Sequence, residues 1–201
     1  MKNRTIMNVS KPKVHERLKK SIMNVSKNGA IVLTGLFLAG FVATWKADAS
    51  KAKVQFSVKG PFGTVHGSFT GLKASIQFDE RRPEGGSISA SIDPNTISTG
   101  IGLRNHDLKH EEKWLNTAKY PSIAWHSTKI ERSSGGYTAL GELTLKGVTK
   151  PVKIPFTFSP SGNSGVFKGQ FVINREEFGV GNKGGSVGDD VTIILEVPVT
   201  K

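Results

Sequence analysis

Apolar and polar residues alternate with a period of two through most of the chain after residue 50. This alternation is typical of strands that bury one face. Short Gly, Ser and Pro turns separate the alternating segments, and together they predict eight or nine antiparallel strands in an all-β sandwich or up-and-down barrel. The apolar positions are Val54, Phe56, Val58, Val65, Phe69, Ile76, Phe78, Ile88, Ala90, Ile92, Ile123, Trp125, Tyr137, Ala139, Leu143, Leu145, Val152, Ile154, Phe156, Phe158, Phe167, Phe171, Ile173, Val191, Ile193, Leu195, Val197 and Val199.

One stretch, residues 98–123, breaks the alternation. Ile101, Leu108 and Trp114, with Leu103 and Leu115 beside them, recur at roughly helical spacing, and charged residues fill the intervals. Ser98 or Thr99 would serve as the N-cap, and Pro121 stops a helix from continuing. The pattern predicts one short helical segment near residues 100–116.

The apolar faces of the strands must be covered. A barrel of about eight strands either fills its own interior or encloses a small ligand. Gly141 and Gly169 share the parity of neighbouring inward apolar residues, which favours an open interior. Bends at barrel corners would explain the same glycines equally well.

The N-terminal 49 residues read as an export signal. An apolar run at residues 30–43 is too short to span a membrane, follows basic residues and precedes Ala47-Asp48-Ala49. This predicts a signal peptide at residues 1–49, cleaved after Ala49, and a periplasmic mature protein. A repeat of Ile-Met-Asn-Val-Ser-Lys makes Met23 an alternative translation start, and an uncleaved N-terminal membrane anchor is the alternative to cleavage.

The net charge of +12 would suit a nucleic-acid-binding protein, but much of it lies in the N-terminal segment. Residues 1–49 hold nine Lys or Arg and two acids, so residues 50–201 hold 28 − 9 = 19 basic and 16 − 2 = 14 acidic residues, a net +5. No basic cluster interleaved with aromatics occurs there, so no nucleic-acid partner is expected. The absence of Cys excludes disulfides, thiolate chemistry and a lipidated cysteine.

Short motifs spread over residues 53–199 resemble the YceI-like family of periplasmic lipid-binding proteins. They are Val65–Lys73, Ile76–Asp79, Ile97–Gly100, Arg104-Asn105 with Leu108-Lys109, Ala118–Pro121, Gly141–Lys150, Asn174-Arg175 with Phe178–Gly181, and Gly188–Val191. The resemblance implies a lipocalin-like antiparallel β-barrel domain at residues 53–199 that encloses a long isoprenoid chain, without catalysis. Asp107 stands where many members have His.

The expected ligand is a long-chain isoprenoid or related lipid, taken up during transient contact with a membrane; no cofactor is expected, and a dimer is left open. The expected ligand-binding residues are Phe56, Val58, Phe69, Ile88, Leu103, Arg104, Leu108, Trp114, Trp125, Leu143, Phe156, Phe158, Phe167, Phe171 and Arg175. Arg104 and Arg175 would donate hydrogen bonds to a polar head group. Structural ion pairs, for example with Asp107, Glu176, Glu177 or Asp190, are the competing interpretation.

Two other functions stay open from the sequence. One is a structural or interaction barrel with a packed interior. The other is a metal-dependent hydrolase in which His106 and His110, at i and i+4 on a helix, bind the metal. That site would need a third ligand such as His126 or Glu111.

Overall fold

The computed structural model describes residues 42–201. Ten strands are present in that range: β1 (Thr44–Ala47), β2 (Lys53–Gly60), β3 (Gly63–Phe69), β4 (Lys73–Gln77), β5 (Ser87–Ile92), β6 (Ile123–Ser133), β7 (Gly136–Leu145), β8 (Val148–Ser161), β9 (Ser164–Asn174) and β10 (Asp190–Thr200). The helix α1 spans Gly102–His110, and three 3₁₀ turns lie at Pro83–Gly85, Pro94–Thr96 and Arg175–Phe178.

The ten strands form a closed barrel with eight staves. β1 and β2 pair with opposite ends of β10, so they act as two halves of one bent stave. β3 and β4 form the next stave in the same way, because β2 pairs with β3 and β1 pairs with β4. The remaining strands follow in antiparallel order back to β10. The predicted all-β antiparallel barrel with one short helix is therefore confirmed.

The first strand lies within the segment that the sequence assigned to the signal peptide. Trp45 of β1 is 4% exposed, and its indole Nε1 donates a hydrogen bond to the carbonyl of Phe78 at 3.0 Å. A cut after Ala49 would remove this strand and the contacts that join β4 to β10 through it. The barrel therefore begins upstream of the predicted boundaries at Ala49 and residue 53. The rest of the predicted signal peptide, the repeat and Met23 lie outside the described residues.

The helix is shorter than the sequence predicted. Its N-cap is Ile101, without a side-chain cap, and its C-cap is Glu111. Thr99 is not the cap; instead its backbone N and Oγ1 donate to Asn105 Oδ1 at 2.8 and 2.7 Å. Beyond His110 the chain folds back on α1, because Leu115 N donates to the carbonyl of Leu108 at 3.0 Å. Within residues 42–201, no helix is long and apolar enough to cross a membrane.

The barrel has two unlike ends. The connections β2–β3, β5–β6, β7–β8 and β9–β10 share one end, which we call the mouth, and α1 lies in one of them. The opposite end is filled by rings that we call the floor cluster: Trp45, Phe78, Tyr137, Phe156, Phe158 and Phe167. Phe78, 1% exposed, contacts four of these rings at centroid distances of 4.9 to 5.5 Å.

Candidate binding cavity

An apolar cavity of about 1000 Å³ lies inside the barrel and reaches the mouth. All eight staves and α1 contribute residues to its wall. Its volume is at the upper end of the roughly 300–1,000 Å³ typical of ligand sites. The interior is therefore not the packed core that a purely structural barrel would have.

Small side chains keep the interior open. Ala74, Ala90 and Trp125 are cross-strand partners on β4, β5 and β6, and all three line the cavity. Two alanines beside one large ring leave space that Leu or Val would fill. That these three residues lie side by side follows from the strand register, which cannot be deduced from the sequence alone.

The two inward glycines serve different purposes. A Cβ on Gly141 would lie 2.5 Å from the benzene ring of Trp125, so this glycine seats the indole and is not itself part of the cavity wall. Gly169 lines the cavity, and a Cβ there would meet the carbonyl of Pro155 at 3.0 Å. The prediction that inward glycines leave space therefore applies to Gly169, while the space at Gly141 is taken by Trp125.

Fourteen of the fifteen expected ligand-binding residues line the cavity. They are Phe56, Val58, Phe69, Ile88, Leu103, Arg104, Leu108, Trp114, Trp125, Leu143, Phe156, Phe167, Phe171 and Arg175. Phe158 is the exception. It packs against Trp45 at 4.9 Å and Phe167 at 4.4 Å in the floor cluster, because its strand continues past the bottom of the cavity. The alternation along β8 correctly predicted that Phe158 faces inward, but it could not show how far along the barrel axis the side chain lies.

Arg175 organises the loop at residues 179–188. Its side chain is 4% exposed. The guanidinium donates to the carbonyls of Val180, Val187 and Gly188 at 2.7, 2.7 and 2.9 Å, and Nη2 lies 3.2 Å from Asp189 Oδ1. The hydrogen-bond donors of Arg175 are therefore engaged by the protein itself, as the ion-pair interpretation of this residue expected. The carboxylate closest to the guanidinium is Asp189, which the sequence analysis did not name. A second carboxylate, Glu176, is 3.8 Å away.

Arg104 is differently placed. It is half-buried on α1 and lines the cavity together with Asp107 of the same helix. Within residues 42–201, no carboxylate lies within ion-pair distance of its guanidinium, and no side-chain hydrogen bond engages it. Arg104 is thus a cation in the cavity wall with donors to offer a ligand.

The chain after α1 is fastened by a residue that the sequence reasoning missed. Thr117 is 3% exposed; its Oγ1 donates to Asn95 Oδ1 at 2.5 Å, and its backbone N donates to the carbonyl of Lys109 at 2.8 Å. These bonds join the end of α1 to the 3₁₀ turn at Pro94–Thr96. A Thr between Asn116 and Ala118 carries no distinctive sequence signal, so only the fold reveals the anchor.

Lys146 links two other mouth connections. Its ammonium donates to the carbonyl of Gly179 at 2.6 Å, and burial lowers its pKa. The loop at residues 179–188 also contacts the segment after α1, because Gly181 N donates to the carbonyl of Lys113 at 2.6 Å. The same loop reaches β2 through a 2.7 Å bond from Gly188 N to the carbonyl of Lys59. The loop at residues 179–188 is therefore hydrogen-bonded to three other segments of the mouth.

The metal-hydrolase alternative needs a third ligand beside His106 and His110, and the described part of the chain supplies none. His106 and His110 are neighbours with ring centroids 4.2 Å apart, and His110 Nδ1 is 2.8 Å from the carbonyl oxygen of His106. His126 pairs with Glu142 at 3.3 Å, and Glu111 pairs with Lys113 at 2.7 Å. No group of three His, Cys, Asp or Glu suited to a metal occurs in residues 42–201.

A closed eight-stave barrel around an apolar cavity with a helix at its mouth defines a binding barrel of lipocalin-like type. The YceI-like domain family matches residues 45–199, and the chain belongs to that family. The match includes Trp45, eight residues before the domain start predicted at residue 53, in agreement with β1 being part of the barrel.

Relatives and solved structures agree with this assignment. A UPF0312 protein of Yersinia enterocolitica is 30% identical over 187 residues, which cover 88% of this chain and 97% of that protein. The crystal structure of BcnA from Burkholderia cenocepacia superposes with a TM-score of 0.72 at 28% identity, over 77% of this chain and 99% of BcnA. A polyisoprenoid-binding domain from Saccharophagus degradans superposes with a TM-score of 0.60 at 14% identity, over 78% of this chain and 97% of that domain, and shares the fold.

Proposed function

We propose that this protein binds a long-chain isoprenoid or a related lipid inside its barrel and carries or sequesters it, without catalysing a reaction. The observation that carries this proposal is the apolar cavity of about 1000 Å³ open at the mouth. Burial of apolar surface contributes roughly 25 cal/mol per Å² when the reference is water, so a long chain is strongly retained there. A lipid that arrives from a membrane loses no such solvation, and its exchange with the bilayer is close to balanced.

Arg104 is the proposed contact for a polar head group. It lines the cavity on α1 and has donors available, whereas those of Arg175 are used by the loop at residues 179–188. An Arg fork matches phosphate or carboxylate oxygens in a bidentate arrangement. Arg104→Gln is expected to weaken binding of a polyprenyl phosphate about tenfold, and binding of the uncharged polyprenol much less. Equal loss for both lipids would contradict this role.

The experiment for the proposed function displaces a polarity-sensitive fluorescent probe from the barrel with a long-chain polyprenol. The test variant is Ala74→Leu with Ala90→Leu, which fills the cavity from adjacent strands. The control is Ser75→Leu with Ser89→Leu, at exposed positions next to those alanines. Wild type and control are expected to bind probe and release it to the polyprenol, and the filled variant to bind at least tenfold less. A filled variant that binds like wild type would contradict the proposal.

The proposed location is the periplasm, supported by the signal-like composition of the N-terminal segment. We propose that processing, where it occurs, falls upstream of Thr44, because Trp45 is buried in the barrel. N-terminal sequencing of protein recovered from a periplasmic extract tests both points. A mature chain that begins at Ser50, or recovery only from membranes with the N-terminal segment intact, would contradict them.

A further inference from the structure

Three of the five large apolar side chains exposed in residues 42–201 lie at the mouth. We call them the rim patch: Phe62 in the β2–β3 turn, Ile101 just before α1, and Leu103 on its first turn. Phe62 is fully exposed, and Ile101 and Leu103 are 49% and 74% exposed. All three also line the cavity opening. The other two exposed side chains, Val172 on β9 and Ile194 on β10, lie on the sides of the barrel, and neither lines the cavity.

The short chain segments that carry the rim patch hold cations and no carboxylate. The segments that carry the patch, residues 59–66 and 101–106, contain Lys59 and Arg104 and no carboxylate. The tip of the third mouth segment, residues 182–187, contains Lys183 and no carboxylate. Of the acids that flank these segments in the sequence, Asp107 lines the cavity, and Glu176 and Asp189 lie within ion-pair distance of buried Arg175.

We propose that the rim patch is a docking surface for an anionic phospholipid bilayer, and that it places the cavity opening against the membrane. Exposed apolar tips flanked by cations fit the interface of an anionic bilayer, where the apolar groups enter the boundary of the acyl chains and the cations meet phosphate. The patch and the opening share residues, so docking there lets an apolar chain pass into the barrel without crossing water. The inference rests on the proposed lipid-binding function and adds the surface through which exchange occurs.

The test is flotation of the full chain with vesicles of phosphatidylglycerol and phosphatidylcholine. The rim variant is Phe62→Ser with Leu103→Ser, and its control is Val172→Ser with Ile194→Ser, which removes two exposed apolar groups from the barrel sides. Wild type and control are expected to float with the vesicles. The rim variant is expected to bind at least tenfold more weakly, since Phe and Leu are the side chains that would enter the bilayer.

A second arm tests the charges. Lys59→Gln with Lys183→Gln is expected to lower binding to vesicles containing phosphatidylglycerol about tenfold, and to leave the weak binding to pure phosphatidylcholine unchanged. Folding of every variant is checked by circular dichroism. If the rim variant has lost the circular dichroism spectrum of the barrel, Phe62→Ser alone replaces it, because Phe62 lies fully exposed in a turn.

Three results would overturn the proposal: wild type that does not float, a rim variant that floats like wild type, or a dimer that light scattering shows to be broken by the rim substitutions. Lipid extracted from the same preparations separates the two proposals. Bound lipid in wild type without vesicle binding contradicts only the docking surface. Vesicle binding by a protein that contains no lipid and accepts none contradicts only the proposed function.

Discussion

At the floor of the barrel, Phe78 is 1% exposed and touches four other rings, whereas at the mouth Leu103 is 74% exposed beside an open cavity. Phe78 directly follows β4, and Leu103 lies on α1. At the floor, Phe and Tyr from neighbouring strands meet within contact distance, and Trp45 of β1 closes the cluster from the side. Farther up, Ala74, Ala90 and Gly169 replace the large side chains, and the interior stays open.

Along the barrel axis, the floor therefore serves mainly stability and the mouth serves mainly ligand binding. Close packing of the rings at the floor contributes to stability, because an unfolding chain must lose those contacts. The mouth is held instead by hydrogen bonds from Thr117, Arg175 and Lys146, which fix the loops without filling the interior. Substitutions at the floor should therefore lower stability, whereas substitutions of exposed side chains at the mouth should change ligand exchange.

The largest effect is expected from removing β1. A chain that begins at Ser50 loses the Trp45 indole, its bond to Phe78 and the pairing with β4 and β10. Its free energy of unfolding should fall by more than the roughly 3–5 kcal/mol typical of deleting one buried aromatic side chain. Urea denaturation of this chain and of one that begins at Thr44 measures the difference. Equal midpoints would mean that β1 is dispensable.

Phe78→Ala should lower the free energy of unfolding by about 3–5 kcal/mol, because it removes the ring at the centre of the floor cluster. Leu103→Ala, the matched change at the mouth, should stay within about 0.5 kcal/mol, since the side chain is 74% exposed. Thermal unfolding of ligand-free protein tests the pair. Similar losses at both positions would remove the distinction between the two ends.

Arg175→Leu should lower the free energy of unfolding by about 3 kcal/mol, because it leaves three carbonyls and Asp189 without their donor. Arg104→Gln should change stability by no more than about 0.5 kcal/mol, because no ion pair within residues 42–201 depends on it. Chemical denaturation of both variants shows whether the two cations differ in role. A stable Arg175→Leu protein would assign Arg175 to the ligand rather than to the loop.

The smallest expected effect is the contribution of Asp48 to stability, which depends on pH. Hydrogen bonds from the Ser50 side chain and from Lys51 lower the pKa of exposed Asp48, between β1 and β2, to about 2. Because this lies below the value of about 3.9 in an unfolded chain, the carboxylate stabilises the fold above about pH 4 and less as the pH falls to 2. Asp48→Asn should therefore lower Tm slightly at neutral pH and much less at pH 2. A difference that is as large at pH 2 as at neutral pH would assign the effect to something other than this charge.

The strands could be predicted from the sequence because alternation depends only on which face is buried, and that is a local property. Depth along the barrel is not local. Phe156 and Phe158 have the same parity, yet Phe156 lines the cavity and Phe158 does not, because depth follows from the stagger of all eight staves. The Ala74–Ala90–Trp125 row escaped prediction for the same reason.

The inclusion of β1 in the barrel escaped prediction for a different reason. Ala47-Asp48-Ala49 has the small residues of a cleavage site, and the four residues of β1 are too few to show a clear period. The burial of Trp45 against Phe78 and Phe158, and the pairing of β1 with β4 and β10, show that this segment belongs to the barrel. At the mouth, the charged character of residues 107–113 was visible in the sequence, but the return of the chain at Leu115 and Thr117 depends on tertiary hydrogen bonds.

Native mass spectrometry of the protein purified without detergent tests the central claim most directly. The account predicts a complex that carries one apolar molecule per chain, released on activation and identified after organic extraction as a long-chain isoprenoid or related lipid. The cavity-filled variant, Ala74→Leu with Ala90→Leu, should carry little or none. A wild-type protein that shows only the mass of the polypeptide, and still takes up no polyprenol when incubated with it, would contradict the account.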